Sequence, residues 1–410
     1  MEQIHKNIEG LRDYILELQT NMTSRPAISP ELGGKGEYQK SVYLENELKK
    51  LGFDEISHID APDARAEKGI RPNIVAKYYG QDKTRTFWLL AHMDVVPEGD
   101  RSLWKTDPFK LSLEADGDTI HGRGVEDNQQ AVTAAFVSAK AIIDAGIRPP
   151  VNLGIMLLSD EEVGNQYGIL YVLKTKPEVF GKHDAFIVQD SGDPAGREIE
   201  IAEKNIYWFK FTVFGKQCHG SMPDSGNNAF TAGARLALRL RDGLYKKFDR
   251  RDSLFAPEES TFEPTKKEAN VPNINTIPGT DIFYMDCRFL PSYQPKEVMD
   301  EVNSIVKQAE KDLKVKVQID IINKSASIAT KTDDKLVQLY AEGVKKINKT
   351  TPKMLGVGGG TFAAEVRNLG LSAVVGSRMY CEPHSPNERA SIKFTMDDAK
   401  VITYVLMNYK

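Results

Sequence analysis

An α/β protein with a small domain inserted into a larger one is the fold class this sequence predicts, and three observations predict it. Short continuous apolar runs alternate with segments of helical periodicity through the first two hundred residues. From about residue 206 the order changes to strand, helix, two strands, helix, strand. After Thr330 the first pattern resumes. At 410 residues the chain exceeds one ordinary core, so two domains are expected: 1–205 with 326–410, and 206–325.

Each element has its own signal. Ile4, Ile8, Leu11, Ile15 and Leu18 recur at helical spacing and predict an amphipathic opening helix. Residues 39–51 predict a second helix, stopped by Gly52. Strands are expected at 73–79, 86–91, 151–158 and 184–189, and an Ala-rich helix at 129–145 is capped by Gly146. Continuous apolar strands separated by helices imply a sheet covered on both faces. In such sheets functional residues collect beyond the carboxyl ends of the strands. The inserted part predicts strands at 207–214, 273–277, 282–290 and 315–322, with helices at 228–244 and 296–312. That β-α-β-β-α-β order is ferredoxin-like. The Lys/Glu/Pro-rich stretch 256–270 reads as an exposed loop. Helices at 334–348 and 395–409 close the large domain.

Composition excludes several classes. A net charge of -4 gives no electrostatic reason for nucleic-acid binding. No apolar run approaches the roughly 20 residues of a membrane helix, and the N-terminal residues lack the basic segment and apolar core of a secretory signal. Cys218, Cys287 and Cys381 cannot form a disulfide framework or a zinc knuckle, which predicts a reducing cytoplasm.

The chemistry lies just after the strands. Leu89-Leu90-Ala91-His92-Met93-Asp94 reads as a buried strand ending on a histidine and an aspartate. Asp127, the pair Glu161-Glu162, Asp190 and His384 follow. Imidazole and carboxylate are the ligands of zinc-like ions. A pair of ions about 3.5–4 Å apart needs a bridging carboxylate and terminal ligands for each. His92 and Asp190 can serve one ion, Glu162 and His384 the other, and Asp127, on a turn opened by Gly122 and Gly124, can bridge. Glu161 then remains as general base. Taken singly, a His-X-Asp, a lone histidine or an acidic turn is usually incidental; the ordered set, in a chain with only seven histidines, carries the reading. His5, His58, His121 and His183 lack such a context and are expected to be structural.

The motifs, in order, are Ala91-His92-Met93-Asp94-Val95-Val96-Pro97, Trp104 with Pro108-Phe109, Gly122-Arg123-Gly124 through Asp127, Ser159-Asp160-Glu161-Glu162-Val163-Gly164, Gly215 with His219-Gly220-Ser221-Met222-Pro223, Asn275-Thr276-Ile277-Pro278-Gly279, Gly358-Gly359-Gly360-Thr361 and His384. The chain thereby resembles the M20 metallopeptidases, a family that includes glutamate carboxypeptidases, dipeptidases, aminoacylases, acetylornithine deacetylases and succinyl-diaminopimelate desuccinylases. The resemblance implies an α/β/α catalytic domain with a mixed sheet and an inserted ferredoxin-like α+β domain acting as lid and dimerisation surface. It implies His92, Asp127, Glu162, Asp190 and His384 as ligands of two divalent ions, most simply zinc, with cobalt or manganese as substitutes. It implies Asp94 as the carboxylate that orients His92, Glu161 as the base, and His219 as an oxyanion stabiliser delivered within a homodimer. Asn275, Arg288, Gly359, Gly360 and Thr361 correspond to substrate contacts.

The implied activity is hydrolysis of an amide in an N-acyl amino acid or short peptide, with a deacylase or desuccinylase favoured by chain length and lid plan. A dipeptidase or carboxypeptidase is the alternative, and a non-catalytic binding module the remote one. The chain departs from the family at Asp127-Asn128-Gln129, at Phe362 where an acid is common, and in the segment before His384. These departures bear on substrate choice rather than on the hydrolytic core.

Overall fold

Eight strands form the principal sheet, in the order Glu55–His58, Ile74–Tyr78, Val151–Leu158, Asp82–His92, Ala185–Asp193, Ser372–Arg378, Glu198–Glu203 and Lys353–Val357. In this computed structural model, which describes residues 1–410, the four strands from Val151–Leu158 to Ser372–Arg378 run parallel. Their flanking neighbours are antiparallel, so the sheet is mixed. Every residue of Val151–Leu158 is buried, as a strand covered on both faces requires. Trp88, Leu90, Met156, Phe186 and Val188 pack with Phe362 and Val366 of the helix Phe362–Asn368 and with Ile169 and Val172 of Ile169–Thr175. The helices Gln129–Asp144, Ile392–Asn408 and Lys335–Ile347 pack together as a second layer. Trp88 lies opposite Gly154 in register, and a Cβ at Gly154 would stand 2.3 Å from its ring.

By contacts the chain forms two units: Met1–Ile201 with Thr330–Leu355 and Thr361–Lys410, and Ala202–Ala329 with Gly356–Gly360. The second unit is a two-layer α+β structure. Its antiparallel strands lie in the order Thr261–Lys267, Thr280–Phe289, Asn205–Phe214 and Lys316–Ser325. The helices Ala229–Lys247 and Pro295–Leu313 bury Leu236, Leu240, Val298 and Val302 against Phe209, Phe211, Phe283 and Phe289.

Three expectations need correction. The opening helix is two helices, Glu2–Glu9 and Arg12–Thr23, because Gly10 caps the first. The second strand of the ferredoxin-like order is Thr261–Lys267, inside the stretch expected to be a loop, while 273–277 yields only the short pair Thr276–Ile277. Lys and Pro are what an edge strand carries to resist further pairing, so the composition that suggested a loop marks an edge. The expected element list also lacks Ser372–Arg378, which is a central strand. No helix is long and apolar enough to cross a membrane.

Candidate metal centre

His92 is the last residue of Asp82–His92 and is buried. Its Nε2 lies 3.0 Å from Asp127 Oδ1 and 3.6 Å from Asp190 Oδ1. Its Nδ1 faces the Asp94 main-chain oxygen at 3.0 Å and the Asp94 carboxylate at 3.4 Å, which fixes the ring. Asp94 also accepts the backbone N–H groups of Glu161 (3.2 Å) and Glu162 (3.1 Å). One carboxylate therefore holds both the first histidine and the acidic pair.

Glu161 and Glu162 sit on a short 3-10 turn after Val151–Leu158, reached through Asp160 at φ +69°. Behind that turn the fully buried Arg71 pairs with Glu37 at 2.5 Å and with Asp160 at 3.2 Å. Asp190 lies where Ala185–Asp193 and Ser372–Arg378 lose register: Val188 pairs with Val375, but Gly192 pairs with Ser377. Such an irregularity re-aims side chains. A Cβ at Gly192 would stand 1.9 Å from the Ser377 oxygen, so only glycine admits this approach.

His384 belongs to the loop that follows Ser372–Arg378, with φ +61°. Its Nε2 lies 3.0 Å from Glu162 Oε2 and 3.3 Å from Asp127 Oδ2. The two oxygens of Asp127 thus face two different imidazoles. Buried Glu388 accepts the N–H groups of Gly124, Glu126 and Asp127 at 3.0–3.1 Å and pairs with Arg123 at 2.7 Å, which folds the turn that presents Asp127. Glu126 accepts the N–H groups of Tyr380 and Glu382 and ties the same turn to the His384 loop. Asn128 follows Asp127 across a cis peptide. Glu388, Glu126, Arg71 and Asn128 are the residues the sequence reading missed. Of these only Glu126 and Asn128 had a signal, their adjacency to Asp127.

The charges constrain one another. His384 is raised to about 10 by Asp127 and Glu162. Burial lowers His92, but Asp127, Asp190 and Asp94 outweigh it, so it rises well above the usual imidazole range. Burial, with Asp190 and Glu162 nearby, lifts Glu161 well above the carboxylate range. Burial also lifts Glu162. Glu162 Oε1 is buried without a hydrogen-bond partner. Ligand atoms of His92, Asp127 and Glu162, and those of His92, Glu161 and Asp190, lie within 4.8 Å of one another. Two imidazoles, several crowded carboxylates and an orphaned carboxylate oxygen fit divalent cations.

The remaining sequence-predicted residues form clusters of their own. In the second unit His219, on the short strand Cys218–His219, is exposed and bonds Ser221 at 2.8 Å; its strand pairs with Thr276–Ile277, which adjoins Asn275. Arg288 is held on Asp286 through Nε (3.0 Å) and Nη2 (3.1 Å) and donates from Nη1 to the Gly358 oxygen at 2.6 Å. Cβ atoms at Gly358 and Gly359 would meet open space. In the first unit Thr361 caps the helix Phe362–Asn368, and Phe362 stands edge-on to His92 at 6.2 Å.

The model of peptidase family M20/M25/M40 matches residues 88–408. An uncharacterized metallohydrolase of Methanococcus maripaludis is 36% identical over 97% of this chain and 100% of its own. The succinyl-diaminopimelate desuccinylase of Helicobacter pylori is 26% identical over 92% of this chain and 94% of its own. Among solved structures, a tripeptidase from Staphylococcus aureus superposes with a TM-score of 0.77 at 16% identity, covering 97% of this chain and 98% of that one. The chain belongs to the peptidase family M20/M25/M40 and is a metallohydrolase.

Proposed function

We propose that this protein is a dinuclear metal-dependent amidohydrolase acting on an N-acyl amino acid or a short peptide. The carrying observation is Asp127, whose two oxygens each face one histidine, with Asp190 on the His92 side and Glu162 on the His384 side. His92, Asp127 and Asp190 would hold one ion, and Asp127, Glu162 and His384 the other. Zinc suits this donor set, and cobalt or manganese would substitute. Bound divalent cations polarise a scissile carbonyl and lower the pKa of water. Glu161, which has no role among those ligands, accepts the proton of the attacking water and returns it to the leaving nitrogen. His219 stabilises the oxyanion. A guanidinium has five N–H donors. The Asp286 and Gly358 contacts engage three in Arg288, leaving two for a substrate carboxylate, and Asn275, Gly359, Gly360 and Thr361 are the further substrate contacts of this reading.

A deacylase of the desuccinylase type is favoured by the Helicobacter pylori relative. A peptidase remains the second reading, supported by the tripeptidase among structures of this fold. A non-catalytic module is disfavoured because every proposed ligand and Glu161 are present. Pairing into a homodimer is supported by the second unit's helix Ala229–Lys247, which exposes Phe230 and Leu238. Phe230, Gly233, Ala237, Pro264 and Phe283 line a groove between that helix and the edge strand. A cytoplasmic location agrees with three free cysteines. The test is a panel of N-acetyl and N-succinyl amino acids and dipeptides, assayed with zinc, cobalt or manganese. Chelator-sensitive release of an amino group from one class is expected. Inertness of every amide under all three metals would reject the reading.

A further inference from the structure

We infer that Asn128 is a positioning residue of the metal centre, locking His92 and Asp190 together through one side-chain amide. Asn128 is 2% exposed. Its Oδ1 accepts the backbone N–H of His92 at 3.3 Å. Its Nδ2 donates to the Gln189 main-chain oxygen at 2.9 Å and to Asp190 Oδ1 at 2.8 Å. A primary amide has two N–H donors and one acceptor oxygen. Both donors of the Asn128 side-chain amide, and its oxygen, are therefore engaged. The amide spans the ends of two adjacent parallel strands, Asp82–His92 and Ala185–Asp193, and each end presents one group of the same proposed ion site.

The chemistry requires an amide here. An aspartate at 128 would accept from His92 but could donate to neither oxygen, and it would set a second carboxylate against Asp190. A leucine of similar shape would do none of the three jobs. Because ladder pairing between these strands extends only from Phe87–Ala185 to Leu90–Val188, it stops short of both His92 and Asp190. Asn128 supplies the cross-strand link beyond the last paired residues, where Asp190 leaves the regular register. It also follows Asp127 directly, so one dipeptide carries the proposed bridging carboxylate and the link between two other ligands.

This inference rests on the metal-centre reading, and the experiment separates the two. Metal-free protein is titrated with zinc in a calorimeter, and Asp190→Ala identifies which binding step belongs to the His92 and Asp190 ion. In Asn128→Leu that step should weaken by about 10–100-fold, the usual effect of losing a partner that orients a ligand. The other step should change by less than about three-fold, as expected for a ligand set lacking that contact, and the metal-free melting temperature should stay near wild type. Unchanged binding, or equal loss at both steps, overturns the role of Asn128 while leaving the metal centre intact. Wild-type protein that binds no divalent ion overturns both. If Asn128→Leu does not fold, nuclear magnetic resonance of isotope-labelled asparagine side chains answers the question on the natural chain. The Asn128 amide protons should exchange slowly and shift on adding zinc. Exchange at solvent rates, or indifference to zinc, overturns the inference.

Discussion

Glu161 and Glu162 are neighbours with different surroundings, and their substitution should separate proton transfer from ion binding. Glu162 touches His384 at 3.0 Å, while Glu161 is crowded by Asp190 without a side-chain contact to either histidine of comparable length. Glu161→Gln keeps the shape and removes the base, so kcat should fall by about 10²–10⁴-fold with zinc stoichiometry retained. Glu162→Gln should instead weaken zinc binding, by about 10-fold or more. Parallel kcat and zinc titrations on both variants check this; near-normal turnover in zinc-loaded Glu161→Gln would remove it from the role. At this scale the sequence was most readable where a residue follows a strand. His92, Asp94, Glu161 and Glu162 announce themselves through the apolar runs before them. Glu388 does not, since its partners at Gly124, Glu126 and Asp127 are about 260 positions away and meet it only once the fold exists.

At the scale of elements, Asp398 shows how the layers are fastened. It lies on Ile392–Asn408 and accepts from Ser377 Oγ (2.6 Å) and Arg378 N (2.8 Å) on the strand Ser372–Arg378, and from Gln130 (3.1 Å) on Gln129–Asp144. Burial nevertheless raises its carboxyl to about 7. Its folded pKa therefore exceeds the unfolded value of about 3.9. The folded state binds the extra proton, so this contribution is complete below about pH 4 and is lost as pH rises towards 7. Asp398→Asn abolishes that titration. Its stability relative to wild type should improve on going from about pH 5 to about pH 8, by on the order of 2–3 kcal/mol. Urea unfolding of both proteins at the two pH values, with chelator present to keep metal binding out of the comparison, reads this directly. Parallel shifts would show that Asp398 stays ionised in the fold. Elements with a clean period were readable from the sequence, such as Val151–Leu158 and the two helices of the second unit. The edge strand Thr261–Lys267 was not, because its charges and proline serve to prevent pairing on one side rather than to signal pairing on the other.

For the whole molecule, the proposed homodimer has a consequence that mixing can measure. If His219 serves the partner's site, equal amounts of Glu161→Gln and His219→Ala protein should recover activity. Random exchange makes about half of the dimers mixed, each with one complete site, so about a quarter of wild-type activity should return. His219→Ala alone should lower kcat by about 10²–10³-fold. No recovery despite proven subunit exchange would mean that His219 acts within its own chain or not at all. The two-part organisation was legible from the change of pattern near residue 206 and its reversal after Thr330. The central position of Ser372–Arg378 was not, because strand order depends on which neighbours compete for each edge, not on local periodicity. That position also matters in time. The strand Ala185–Asp193 leaves the ribosome long before Ser372–Arg378, the partner that covers its far edge. At about 5–20 residues per second, roughly 10–35 s of synthesis separate the two. Throughout that interval the nascent chain carries an open row of peptide groups in its future centre, the kind of template on which two nascent chains can join. Residues 202–329, the greater part of the second unit, are made within the same interval, so a strand made late fills the centre of the sheet that was begun first.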